Sequence, residues 1–497
     1  MNSPDLPVTA TPSGTSGSPD QPEQRGANRL QLITLLHVAS LVVFISWDFG
    51  GETDFARTAI NGWGLIAAVI LGIACTHRWK RHRRLPASLR WLWPLALFNL
   101  LVIVSAQNPS FTHAIANGAT VWMNRGGHPG WPSSAQPVLS LQALGQFDAI
   151  FLTCFNLLVV VFQRRLLRWL LYVFTVNSLL LAVMGTFQKL AHAPGLYFGA
   201  VHSPNETFFA SFIYHNHWGA FTLLATAAAL GLHFHHVRNR RQDRRKHSPA
   251  FFGLVATLFI AASVPLSTSR SCTVLLLVLL MGALFGWLRL CRRNAQADGR
   301  SMLLPMTLSV GVFAVGLGAI FLLSQPVIEA RLDTTRQQVE DLRRRGDFGA
   351  RQQLYADTWH MARDKPWFGW GLGSYATVFR IYNSQYAVEP WFGQTFYAEA
   401  HSDWLQSIAE VGLIGTGLLV LLGLLPLVSA LRHSSWDELP RSLLAGCGLI
   451  ALYAWVEFPF ANPAVMLAFW LCFFTAVRYH KLTVHHRACQ TCSPSSS

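Results

Sequence analysis

Apolar positions run along this chain in long blocks, not in the alternations of amphipathic helices or half-buried strands. After a Pro-, Ser-, Thr- and Gly-rich stretch over residues 1–28, such blocks fall at 31–47, 59–76, 89–105, 147–162, 166–188, 213–234, 250–266, 271–288, 303–324, 406–430, 441–456 and 463–479. A helix needs roughly 20 apolar residues to cross a bilayer, and several blocks are slightly shorter. The pattern predicts an all-α polytopic membrane protein with about twelve transmembrane helices. Residues 29–324 would carry helices one to nine and 406–480 helices ten to twelve, with 325–405 as a large outer loop. Residues 1–28 lack an apolar h-region and read as a disordered cytoplasmic tail, and 481–497 read as a cytoplasmic tail.

Composition sharpens this picture. Of 497 residues, 52% are hydrophobic and 13% charged, with mean hydropathy +0.31. Soluble domains carry about 25% charged residues, so a soluble enzyme is excluded. The 18 Trp and 33 Phe exclude an intrinsically disordered chain. A net charge of +15 would suggest nucleic acid in a soluble protein, but here the cations sit in short clusters between apolar blocks. With residue 1 in the cytoplasm, 26 Lys and Arg fall inside and 13 outside, and nine of the outer ones share the 325–405 loop. Both termini are therefore expected inside. The eight Cys imply no disulfide framework, and Cys489 with Cys492 is a single CxxC without the second half of a zinc site.

Two outer loops stand out. Residues 106–146 show little periodicity and read as irregular. In 325–405, Ile328–Arg345 has helix-like charge spacing, and Gly349–Lys365 is amphipathic, with Leu354, Thr358, Met361 and Ala362 on one side. Pro366 stops that helix, and Trp367–Tyr375 is a Gly-punctuated turn. The chain shows neither a repeat of 20–50 residues nor a clear inverted duplication.

Ionisable residues at the membrane's outer lip are the candidates for chemistry, since burying them is costly. In Tyr397–Gly415, Ser402 is an N-cap and Asp403 lies in the first turn, where the helix dipole favours an anion. His401 then precedes a helix N-terminus, which disfavours an imidazolium, so a neutral ring able to take a proton is expected. The alternative is a ring that only bonds loop backbone. Arg270, in the tight outer connection Pro265–Cys272, can grip phosphate bidentately or snorkel to headgroups. Arg351 opens the amphipathic loop helix, where a solvated charge is the plainer reading; Arg331, Arg336 and Arg343–Arg345 read as solvated-face charges. Asn216 and His217 would contact a polar substrate or anchor their helix beside Trp218. Asp48, Glu52 and Asp54 are oxygen ligands for a divalent metal or an ordinary polar loop. His233, His235 and His236 adjoin a basic loop and read as solvated interface residues.

In their order and spacing, these residues resemble the O-antigen ligase and O-antigen polymerase superfamily. Ser269-Arg270-Ser271 resembles its Ser-Arg-Gly element, with Ser271 in place of Gly. Arg351 runs fifteen residues to Pro366, followed by Gly369, Gly371 and Gly373. His401-Ser402-Asp403-Trp404-Leu405-Gln406 and Glu410-Val411-Gly412-Leu413-Ile414-Gly415 complete the signature, with Ser402 where Asn is frequent, and His215-Asn216-His217 resembles the Asn-rich motif before a helix. Similarity concentrates in residues 200–425.

The resemblance implies metal-independent, cofactor-free transfer of a glycan from undecaprenyl diphosphate to an acceptor hydroxyl, lipid A core or similar, at the periplasmic face of the bacterial inner membrane. Arg270 and Arg351 would hold the diphosphate and His401 would take the hydroxyl proton. Asp403, Asn216, His217, Gln406 and Glu410 become candidate substrate-binding residues. The big loop would cover the cleft, bending at Gly369–Gly373. The expected partners are the lipid-linked donor, a glycan or protein acceptor and membrane lipids, with no nucleic acid. Polymerase, protein O-oligosaccharyltransferase and metal-dependent transfer remain alternatives within this chemistry. A lipid-linked sugar transporter or flippase is the alternative of another class; such proteins show repeats, broken helices and midplane charges.

Overall fold

The computed structural model describes residues 21–116, 119–128, 130–239, 250–298, 307, 311, 314, 318, 350–384, 397–432 and 436–492. The protein is an all-α polytopic membrane protein. Its described helices are α1 (Gln21–Trp47), α2 (Asp54–His82), α3 (Trp93–Gln107), α4 (Pro137–Val160), α5 (Arg164–Leu190), α6 (His215–Asn239), α7 (Ala250–Leu266) and α8 (Arg270–Asp298). There follow α9 (Ala350–Asp364), α10 (Tyr375–Tyr382), α11 (Asp403–Leu431), α12 (Glu438–Tyr453) and α13 (Pro463–Cys492). Eight of these helices are long and apolar enough to cross a membrane. Every apolar block except 303–324 coincides with a helix. That block, apart from 307, 311, 314 and 318, lies outside the described residues, as do Ile328–Arg345 and its arginines.

Local chemistry sets the helix ends. The Thr53 hydroxyl accepts the Ala56 amide at 3.0 Å and starts α2, and Arg83, at φ +50°, ends it in the left-handed region. Pro at the first position starts α4 ten residues before the block expected at 147. The 106–146 stretch is less irregular than its sequence suggests. Phe111–Ala116 and Ala119–Asn124 form an antiparallel hairpin, Phe111 opposite Asn124, too short for its alternation to stand out.

Lipid offers no hydrophobic drive between helices, so close packing and polar bonds carry the assembly. Over an apolar 18-residue stretch of each helix, 72% of α6 and 83% of α13 is buried, against 22% of α2 and of α8, which makes the first pair central and the second peripheral. Small residues bring the central helices together: a Cβ on Gly446 of α12 would stand 2.7 Å from the Ala227 Cβ of α6. Trp47 Nε1 donates to Asn177 Oδ1 at 2.8 Å, and Asn156 Nδ2 to the Ala67 carbonyl at 2.9 Å. His233, His235 and His236 are partly buried and bonded, contrary to the solvated reading. His233 Nδ1 lies 2.8 Å from the Ala250 carbonyl, His235 faces Tyr479 and His236 faces Tyr172. Packing of α6 against its neighbours encloses them.

At one end of the bundle, α9 and α10 stand on the membrane helices. Leu354, Thr358, Met361 and Ala362 are all buried, as their spacing predicts. Gly369, Gly371 and Gly373, at φ +70°, +105° and +72°, thread the following segment against α11. The Trp370 amide donates to the Ala409 carbonyl at 3.0 Å, and Gly371 to Glu410 at 2.7 Å. In return, Leu413 donates to the Pro366 carbonyl at 2.8 Å. Gly412 is non-helical (φ +67°, ψ −175°) and breaks α11 there, and a Cβ on it would meet Trp367 backbone at 2.3 Å. The glycines permit a tight backbone contact; the bend expected at Gly369–Gly373 is a clamp.

Candidate functional site

The site is built where four connections meet. Ser402 caps α11, its hydroxyl accepting the Leu405 amide at 3.3 Å, and leaves His401 just outside the helix at φ +52°. A left-handed non-glycine costs roughly 1–3 kcal/mol and persists only where surrounding bonds hold it. Those bonds are present. The Tyr355 hydroxyl donates to the His401 carbonyl at 2.9 Å, and the Asp403 amide to the Glu457 carbonyl at 3.2 Å. Asp403 Oδ2 accepts the Phe460 amide at 2.8 Å, and Trp404 Nε1 donates to the Ala451 carbonyl at 2.8 Å. The segment before α11 is thereby bound to the turn between α12 and α13.

Glu457 occupies that turn and is 2% exposed. Its Oε1 accepts from Arg351 at 2.6 Å and from Asn216 Nδ2 at 3.0 Å, while its Oε2 lies 3.6 Å from His401 Nδ1. Arg351 and Tyr355 are one helical turn apart on α9 and so reach Glu457 and the His401 carbonyl from one face. Burial pushes the Glu457 carboxyl up, but the adjacent His401 and Arg351 outweigh it and hold it below the usual carboxylate range. Burial, joined by the charge of Glu457, pushes the Tyr214 hydroxyl well up.

Asn216 links this cluster to the Ser-Arg-Ser element. Its Oδ1 accepts from Ser269 Oγ at 2.6 Å, and its Nδ2 donates to the Tyr214 hydroxyl at 2.7 Å. Arg270, exposed, follows Ser269 directly at the start of α8. The Phe458 ring meets His401 edge-on at 4.7 Å and His217 edge-on at 5.2 Å, and stacks on Tyr214 at 5.5 Å.

The remaining candidates bond to partners other than the Glu457 carboxylate. His217 Nδ1 pairs with Glu52 Oε1 at 3.0 Å, and Asn462 Nδ2 reaches the same oxygen at 2.8 Å. Burial raises the Glu52 carboxyl, but His217 and Asn462 outweigh it and hold it below its ordinary value. Gln406 donates to Glu399 at 2.6 Å and accepts the Ala400 amide at 2.9 Å. Burial drives the Glu399 carboxyl up despite that bond. Glu410 accepts the Gly373 and Tyr375 amides at 2.9 and 3.0 Å, tying α11 to the glycine turn. Asp48, Glu52 and Asp54 do not converge. Asp48 accepts from Thr53, Glu52 turns to His217, and Asp54 is exposed beside Arg57. Among the described residues no His, Cys, Asp and Glu cluster has the makings of a metal site.

Sequence reasoning missed Glu457. It lies in the apolar context Trp455-Val456-Glu457-Phe458-Pro459, where a carboxylate between two membrane blocks is costly, and that was the available signal. Residues 254–420 match the family model described as O-antigen ligase. The match takes in Arg270, Arg351, the three glycines and His401, and leaves Asn216 and Glu457 outside. No curated protein matches the chain.

Proposed function

We propose that this chain, which residues 254–420 place in the O-antigen ligase and O-antigen polymerase superfamily, transfers a glycan from undecaprenyl diphosphate to an acceptor hydroxyl at the periplasmic face of the bacterial inner membrane. The ligase reading, with lipid A core or a similar acceptor, is the one put forward. Polymerase and protein O-oligosaccharyltransferase readings use the same chemistry. The observation that carries the proposal is that Arg351 and His401, from separate stretches of the loop, meet on one buried carboxylate beside the Ser269-Arg270 element.

In this reading the acceptor oxygen attacks the anomeric carbon, its proton passes to His401, and the glycan–phosphate C–O bond breaks. The diphosphate leaves with the electron pair. Arg351, with one nitrogen on Glu457 and its side chain 52% exposed, keeps further donors for phosphate, and Arg270 supplies a second guanidinium. Stabilising charge that grows on the leaving group contributes several kcal/mol, and a placed base roughly 10²–10⁴ in rate. Asp403 holds the turn that carries Glu457, and Asn216 the link to Ser269; no metal takes part in the step. The helix break at Gly412 is a transporter-like feature. Loop backbone fills it, however, and that favours the transferase reading.

The test is transfer by purified full-length protein given a polyprenyl diphosphate glycan and several acceptors. His401→Ala, Arg351→Ala and Arg270→Ala are each expected to lower turnover at least about 10²-fold, with expression and membrane insertion unchanged. Turnover at the parental rate in all three would overturn the site.

A further inference from the structure

Glu457 presents an unfinished bond. Its Oε1 is satisfied twice, by Arg351 and Asn216, whereas among the described residues Oε2 has no hydrogen-bond partner. His401 Nδ1 has none either, and the two atoms face each other at 3.6 Å. A buried polar atom left unpaired costs about 1–3 kcal/mol, and these two are complementary: an ionised carboxylate oxygen only accepts, and an imidazole nitrogen can donate. Nδ1 is buried while the His401 side chain is 27% exposed, so the accessible part of the ring lies on another edge. Phe458 packs edge-on against the ring, and Tyr355 on the His401 carbonyl fixes the backbone that carries it.

We propose that Glu457 is a positioning residue that fixes both catalytic groups: Oε2 takes the Nδ1–H of His401, leaving Nε2 as the proton acceptor, while Oε1 anchors the Arg351 guanidinium. The proposal rests on the transferase reading above and deepens it. In the step, the acceptor O–H bond breaks and an Nε2–H bond forms. The imidazolium so created faces the Glu457 carboxylate, which stabilises it without taking a proton. The acceptor oxygen bonds to the anomeric carbon as the diphosphate departs with the electron pair of the broken C–O bond. The charged and titratable groups around His401 and Glu457 are Arg351, Glu399, Asp403, Tyr214, Tyr355, Cys272 and Tyr453. Among the described residues, Glu457 alone forms an ion pair with both Arg351 and His401. One carboxylate thereby couples the donor-binding arginine to the base.

The test uses full-length protein in nanodiscs, labelled with ¹⁵N-histidine, with the His401 resonance assigned by its loss in His401→Gln. The expected wild-type state is the Nδ1–H tautomer, perturbed in Glu457→Gln and retained in Glu457→Asp. In transfer assays Glu457→Gln should lower kcat about 10–100-fold with the acceptor KM unchanged, and Glu457→Asp should restore part of it. A wild-type ring protonated at Nε2 alone, or a Glu457→Gln enzyme with parental kcat, overturns the proposal. The nuclear magnetic resonance readout needs no substrate. The expected tautomer pattern in protein that transfers no glycan would therefore sink the transferase reading and leave the positioning role standing.

Discussion

At the scale of single residues, burial decides what each charge can do. Lys365 donates to Ser133 at 2.7 Å, lies over the Trp370 ring at 4.1 Å, and is pushed down by burial to about 8. A depressed lysine is penalised in the folded state wherever it is protonated, so the unfolded chain binds more protons between about 8 and its ordinary value of 10.5. Stability should therefore rise with pH across that window. Thermal unfolding followed by Trp fluorescence is expected to show the rise, and Lys365→Met should flatten it; an unchanged slope would remove Lys365 as the cause. His401, Arg270 and Asn216 could be singled out as polar residues beside apolar blocks, whereas Arg351 stood out only through the resemblance. Glu457 carried the same local signal, but its partners lie 56 to 241 positions away and only the fold brings them together.

At the scale of elements, most spans could be read because an apolar block is a local signal, although helix ends run past the blocks, by ten residues at the start of α4 and thirteen at the end of α13. Two features could not. The Phe111–Asn124 hairpin is too short to declare its period, and the role of the glycines depends on what they touch. Gly369, Gly371 and Gly373 look like a hinge in sequence, yet Gly369 and Gly412 each bring backbone to within 2.3 Å of where a Cβ would sit. Gly412→Ala adds both that clash and a strained φ. It is expected to destabilise the packing of 366–373 on α11 by about 2–4 kcal/mol. Limited proteolysis between 350 and 384 reads this directly, with faster cleavage in the variant; cleavage at the parental rate would show that the contact is not needed.

At the scale of the whole molecule, residues 216, 351, 401 and 457 reach one point from four regions of the chain, with α6 and α13 as the buried frame. Acidic residues that neighbour one another in sequence diverge instead: Asp48, Glu52 and Asp54 point to three different partners. A chelator is accordingly expected to leave glycan transfer unchanged, and Asp54→Ala should match the parent. Loss of activity in chelator, restored by a divalent cation, would reinstate metal-dependent transfer.

The plug at Gly412 bears on how this protein can be re-engineered. Because residues 366–373 fill a gap in a membrane helix, the extramembrane cover and that helix amount to a single part. A chimera that borrows 350–384 from a relative to change its acceptor must also import that relative's counterpart of 409–414. Without it, the graft would arrive with no socket to seat in.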